Sequence, residues 1–385
     1  MNRIRSGCGF GKTLCALLAS ALATVVLYTP LSRAQDTPSA ALTQISSDPF
    51  TIGPGQHATE VEPHMLANGT TLVAAFQTGR IVNGGGTAIG WATSTDGGTS
   101  WAHGFLPGLT TGNGGGPYDA ASDPAVAFDA KHGVWMIASL PISNTKQTSA
   151  VVASRSTDGG FTWDNPVSVG PNVASSDKNW IVCDSNSASP FYGNCYTEWD
   201  NPSTGDGILM STSSDGGLTW SSATGTTNRA TGIGGQPLVQ PSGTVVVPIE
   251  TNGMSSFTST DGGKTWSKPV TISSIQSHTD AGGIRSGPLP SAAVDGTGTV
   301  WVVWEDCRFR SKCSTNDLVY STSSDGVKWS KVTRVPIDVT TSTVDHFIPG
   351  VGIDPATSGA TAHVAIHYYF YSKSNCTQST CQLFV

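Results

Sequence analysis

The chain has 385 residues, a formal net charge of −7, only 12% charged residues and 45 glycines. Beyond the first residues it has no basic tract, which excludes nucleic acid as a partner class. The length alone allows two or three domains, but the composition favours short strands joined by tight turns, and beyond residue 35 no window of ten or more residues carries a helical period.

The N-terminus reads as a targeting segment. Arg3, Arg5 and Lys12 precede an apolar run from Leu14 to Tyr28, and Ser32-Arg33-Ala34 follows as a cleavage region. This pattern predicts a secretory signal peptide over 1–34. The apolar run is short for a membrane span, and no later segment could cross one. Six cysteines remain in close pairs: Cys183 with Cys195, Cys307 with Cys313, Cys376 with Cys381. An even count in an exported chain predicts disulfides, and each pair brackets one turn or loop. None of these spacings is Cys-x-x-Cys, so zinc is not read here.

One motif, Ser-x-Asp-Gly-Gly-x-x-Trp, recurs at Ser94–Trp101, Ser156–Trp163, Ser213–Trp220 and Ser259–Trp266, with a shortened copy at Ser323–Trp329. Its aspartates are Asp96, Asp158, Asp215, Asp261 and Asp325. Asp-Gly-Gly reverses the chain because glycine accepts positive φ. The carboxylate can accept bonds from N–H groups of its own turn, and tryptophan supplies an apolar plate over it. These aspartates are therefore scaffold rather than catalytic.

A second repeat lies between the boxes. Short segments start polar and turn apolar at Glu62–Met65, Asp123–Val126, Asp177–Ile181, Gln236–Val239, Arg285–Ser291 and His346–Pro349. Each leads to a β-rich run: Thr70–Phe76, Val134–Leu140, Asn194–Trp199, Thr244–Ile249, Thr299–Trp304 and Ala362–Tyr371. A third strand enters each box, as at Val151–Ser154 and Leu318–Thr322, and a fourth leaves it, as at Pro269–Ser273 and Lys331–Ile337. Four antiparallel strands repeated six times predict an all-β, six-bladed β-propeller over 35–385. The sixth unit supplies two strands and the start of a third at Gln382–Val385. Either the segment Ala41–Ser46 completes that blade as an outer strand, or the blade is cut short.

Propeller geometry puts the starts of the inner strands and the loops between second and third strands on one face. The box turns lie on the other. The first face collects Glu62, His64, Asp123, Asp177, Lys178, Arg80, Glu198, Asp200, Glu250, Arg285, Glu305, Arg308, Arg310 and Tyr371, among others. Arginine suits bidentate carboxylate recognition, and carboxylates beside it suit general acid and base work. The competing reading is that these groups pair across neighbouring blades and only hold the ring. His363 and His367 fall on one strand about 13 Å apart, too far to share an ion. No metal ligands and no cofactor are expected.

Five boxes on a six-unit β repeat resemble the sialidase superfamily of Asp-box (BNR-repeat) propellers. The resemblance covers about residues 41–385. It implies exo-cleavage of terminal sialic acid or a similar sugar, with an arginine triad on the substrate carboxylate, an Asp acid/base, and a Tyr nucleophile paired with Glu. Carried over, it implies Asp123 as the acid, Glu250 or Glu198 as the partner of Tyr371, and Arg80, Arg285 and Arg308 as the arginine cluster. Glu62 and Asp177 join the substrate site. Where the family has Arg-Ile-Pro on the first inner strand, this chain has Val61-Glu62-Pro63, so a carboxylate stands near the first triad position. The expectation is a secreted, monomeric, sialidase-like glycoside hydrolase acting on a glycan or glycoconjugate. The alternative is a non-catalytic propeller that binds glycan or protein.

Overall fold

Runs of alternating apolar residues punctuated by glycine turns fold as antiparallel strands, because each apolar face must be covered by the next sheet. In the computed structural model, residues 42–51, 53–82, 84–143, 148–170 and 175–385 are described; the signal peptide expected over 1–34 lies outside them. The strands form six successive units.

The first unit is Gly55–Asn68, Thr71–Ile81, Gly86–Ser94 and Ala102–Phe105. The second is Ala120–Asp129, Val134–Ser143, Val152–Ser156 and Val167–Ser168, with Thr148–Ser149 beside its second strand. The third is Asp177–Cys183, Cys195–Asn201 and Gly207–Ser213. The fourth is Leu238–Val239, Val245–Glu250, Met254–Ser259 and Val270–Ser273. The fifth is Ser291–Val294, Val300–Asp306, Asp317–Ser323 and Thr333–Arg334. The sixth is Asp345–Ile353, Val364–Tyr371 and Leu383–Phe384. Every pairing between these strands is antiparallel, and a single residue pair, Gly86 with Ala121, joins the first two units into one sheet.

Two departures from the sequence reading concern edges. Residues 42–51 form no strand; Ile45 packs instead against Ala74, Phe76 and Ala92 of the first unit. The outermost strands are also thin: Lys331–Ile337 contributes only Thr333–Arg334, and the third unit has isolated bridges in place of a fourth strand. Outer residues have a partner on one side only, so they hold the least ladder and pack the least side chain.

The core lies between units. Val73, Ile89 and Trp91 of the first unit pack against Val126, Trp135 and Ile137 of the second, and the same arrangement continues between the second and third, third and fourth, and fourth and fifth. First strands of successive units touch. Side chains on them pin neighbour to neighbour: Val126 N donates to His64 Nδ1 at 2.8 Å, Ala292 N to Gln236 Oε1 at 2.8 Å, and Val351 N to Ser291 Oγ at 3.0 Å.

The repeated turns latch the units at the other end. In each, the aspartate accepts from backbone N–H groups further along its own turn, as Asp158 does from Phe161 and Thr162, both at 3.0 Å. The turn so fixed presents a glycine carbonyl to the preceding unit. Gly159 O accepts from Thr93 Oγ1, Gly216 O from Arg155 Nε, Gly262 O from Asn194 Nδ2 and Gly326 O from Ser256 Oγ, at 2.6 to 3.3 Å. Disulfides join Cys183–Cys195, Cys307–Cys313 and Cys376–Cys381, the three pairs expected from spacing. Among the described residues no helix is long and apolar enough to cross a membrane.

Candidate functional site

Four first strands carry the same irregularity. The ladder slips between Val61 and His64, Ser122 and Ala125, Asp177 and Trp180, and Phe347 and Gly350. Inside each slip one residue adopts a left-handed backbone: Glu62 at φ 54°, Asp123 at 46°, Lys178 at 49° and Ile348 at 49°. A bulge leaves its extra residue outside the ladder and re-aims its side chain. Holding a non-glycine residue there costs about 1–3 kcal/mol, a kind of strain that clusters at functional sites.

Three of these residues meet. Glu62, Asp123 and Lys178 line one cavity of about 690 Å³, together with Asp177, Arg80 and Arg285. Three cations therefore face three carboxylates. Beneath them runs a connected set of hydrogen bonds. Arg80 Nη1 donates to Gly85 O at 3.0 Å and to Gln77 Oε1 at 3.3 Å. Gln77, fully buried, donates from Nε2 to Glu62 and, at 2.9 Å, to Ser122 Oγ. Ser122 in turn donates to Asp123 Oδ1.

The electrostatics follow from this crowding. Glu62 opens onto the cavity, yet the surrounding walls desolvate its carboxyl and raise its pKa. The Asp123 charge and a shared Glu62–Asp123 hydrogen bond raise it further. Asp177 is raised by burial first and by the Asp123 charge second, with Lys178 and Arg285 pulling the other way. Behind the cavity, Asp200 lies opposite Asp177 in the ladder of the third unit, and Glu198 is two residues before it. Both are 0% exposed, and neither carboxyl has a hydrogen-bond partner. Burial and then the Asp177 charge push Asp200 up to about 8, and burial pushes Glu198 well above the usual carboxylate range. Room for Glu198 depends on Gly235, where an added Cβ would come within 2.4 Å of its carboxyl carbon.

Of the residues singled out in the sequence, Glu62, Arg80, Asp123, Asp177 and Arg285 come together here. Arg308, Glu250 and Tyr371 do not line the cavity. Arg308 is held by Asp306, with Nε–Oδ1 2.8 Å and Nη2–Oδ2 2.7 Å, and by Ser273 Oγ at 3.0 Å. Glu250 ends the second strand of the fourth unit, half-buried, with its backbone bridged to Ile233; burial raises its carboxyl. Tyr371 is buried opposite Asp345, its ring 5.0 Å from that of Phe347, on a separate hollow of about 300 Å³ beside Cys376. His64, on the same face, is a joint between strands, and burial lowers it to about 4. Lys178 is the lining cation left out of the expected substrate set. Its signal was the alignment that singled out Glu62-Pro63 and Asp123-Pro124, in which Lys178-Asn179 takes the same place.

Several solved structures share this architecture. An intramolecular trans-sialidase from Ruminococcus gnavus, in complex with oseltamivir carboxylate, superposes with a TM-score of 0.54 at 14% identity, over 86% of this chain and 93% of that one. A protein of unknown function from Dyadobacter fermentans gives 0.52 at 15%, over 84% and 93%. Trypanosoma rangeli sialidase in complex with the inhibitor DANA gives 0.53 at 14%, over 82% of this chain but only 53% of that one. The chain has a sialidase-like fold. No family model and no curated protein matches its sequence.

Proposed function

We propose that the six units are the blades of a six-bladed propeller, and that the cavity is the site of a secreted sialidase-like glycoside hydrolase acting on terminal acidic sugars. The observation that carries this reading is the meeting of Arg80, Lys178 and Arg285 with Glu62, Asp123 and Asp177 in one 690 Å³ hollow. The volume suits a monosaccharide or disaccharide-sized ligand. The cations match a sugar carboxylate, and the guanidinium groups can bind it through paired hydrogen bonds. Glu62 and Asp123 share a hydrogen bond, and the raised Glu62 carboxyl favours a proton held between them. Such a pair can protonate a leaving-group oxygen. No tyrosine is among the described lining residues, which leaves Asp177 as the carboxylate able to activate water. The three disulfides are consistent with an extracellular protein.

The test is release of a fluorogenic aglycone from a sialoside. Asp123→Asn is expected to lower kcat at least about 100-fold, the usual contribution of a general acid. Arg285→Ala is expected to act mainly by raising KM. Saturable sialoside binding with no turnover in the unaltered protein would assign the cavity to recognition alone.

A further inference from the structure

A second group of polar side chains lies away from the cavity, where the loop after the fourth unit meets the start of the sixth. His278, Asp280 and Asp345 each bring one ligand-type atom to a common point, all within 4.8 Å of one another. That spread is what donors around a single ion show when each sits 2.0 to 2.4 Å from it. A buried asparagine assembles them. Asn316, 0% exposed, accepts from His278 N at 2.7 Å and donates from Nδ2 to His278 O at 2.8 Å and to Asp280 Oδ1 at 3.1 Å. Its own N–H donates to Asp345 Oδ1 at 2.6 Å.

Both oxygens of Asp280 accept hydrogen bonds, whereas Asp345 Oδ2 and His278 Nδ1 have none. Asp280 Oδ2 accepts from Ser286. Asp345 is 0% exposed, yet its Oδ2 has no hydrogen-bond partner; it points at His278 Nδ1 at 3.3 Å, which has none either. Glu305, also buried, sits close enough for its charge to be felt with those of Asp280 and Asp345. Among the described residues no lysine or arginine forms an ion pair with any of these three carboxyls.

A neighbouring trio shows the contrast. Asp317, Asp338 and His346 converge in the same way. There Arg310 and Arg334 supply the positive charge, with contacts of 2.5 to 2.8 Å to the two aspartates. One acidic cluster is contacted directly by two guanidinium groups, and the other has only the His278 imidazole, 3.3 Å from Asp345 Oδ2, in direct contact. A buried carboxylate with an oxygen outside any hydrogen bond is costly, and coordination to an ion satisfies it.

We propose that His278, Asp280 and Asp345 bind one divalent metal ion of the manganese or zinc kind. The imidazole nitrogen selects against calcium and magnesium, which take all-oxygen sets, and the two carboxylates suit an ion of intermediate hardness. Asn316 is the positioning residue that holds the ligands apart. The site stands independently of the hydrolase reading.

The experiment is calorimetric titration of the full chain, stripped with a chelator and returned to chelator-free buffer, with MnCl2 and with ZnCl2. One saturable site per chain is expected, tighter than about 100 μM. His278→Gln and Asp345→Asn are each expected to weaken it at least tenfold, since even residues behind the ligands change metal affinity about 10–100-fold. Bound metal should also raise the melting temperature of the unaltered protein and not that of the variants. Circular dichroism separates lost binding from lost folding, and the partly exposed His278 keeps the test open should Asp345→Asn fail to fold. No one-to-one binding by either ion overturns the site. So does binding that is unchanged in a folded His278→Gln variant, or binding of calcium alone.

Discussion

At the scale of single residues, the repeated turn shows what one carboxylate can hold. Asp158 accepts from two backbone N–H groups, from Thr162 Oγ1 at 2.6 Å and from Ser156 Oγ at 2.8 Å, and these bonds lower it to about 2. Asp158→Ala would leave two turn N–H groups without their acceptor and loosen the Gly159 carbonyl that reaches Thr93. The expected cost is about 1–2 kcal/mol, read from chemical denaturation, with the cavity chemistry unchanged. Turn chemistry was legible because all the atoms belong to one short segment. The cavity was legible in part: Glu62, Asp123 and Asp177 could be placed by their positions on the first strands. Arg308 could not, because its fate is set by Asp306 two residues earlier, and a sequence does not say whether a guanidinium will turn toward a site or back onto a neighbour. Tyr371 faces Asp345 because of strand register, which the loop-based placement could not fix.

At the scale of the strand and sheet, the second strands carry large, fully buried aromatic side chains. Trp199 and Trp304 sit on them, each 0% exposed, and Trp304 packs with Val246 and Met254 of the preceding unit. Trp304→Ala removes contacts that belong to two sheets at once. It is expected to destabilise the protein by about 3–5 kcal/mol, seen as a lower denaturation midpoint. The order of these second strands could be read from the spacing of six apolar runs preceded by polar starts, whereas the number of strands in each unit could not: the third and sixth units have three. The bulges could not. A left-handed residue before proline leaves no separate mark in composition, yet it is what turns Glu62 and Asp123 toward the cavity.

At the scale of the whole molecule, two sets of carboxylates pull stability in opposite directions with pH. The turn aspartates, Asp96 and Asp158 at about 2, are held below their unfolded values by hydrogen bonds. Their contribution is present above pH 4 and is lost as pH falls toward 2. Glu198, Asp200 at about 8 and Glu305 at about 8 are held above theirs by burial. The folded protein keeps those protons while the unfolded chain releases them near pH 4, so stability falls as pH rises from there to about 8. Buried His64, lowered to about 4, and His346, also lowered, oppose this between pH 4 and 6.5 but are fewer. Urea denaturation is therefore expected to give greatest stability near pH 4 to 5 and a clear decline by pH 8; a maximum at pH 8 would contradict the burial of these acids.

The segment between the fourth and fifth units reaches both polar centres. His278 and Asp280 stand near its beginning, Arg285 extends from it into the cavity, and Ser286, the next residue, bonds back to Asp280. Asp280 and Arg285 thus stand five residues apart on one segment that touches both centres. Linkage then requires reciprocity: whatever factor an ion at the first centre imposes on the affinity of an anion at the second, the anion imposes on the ion.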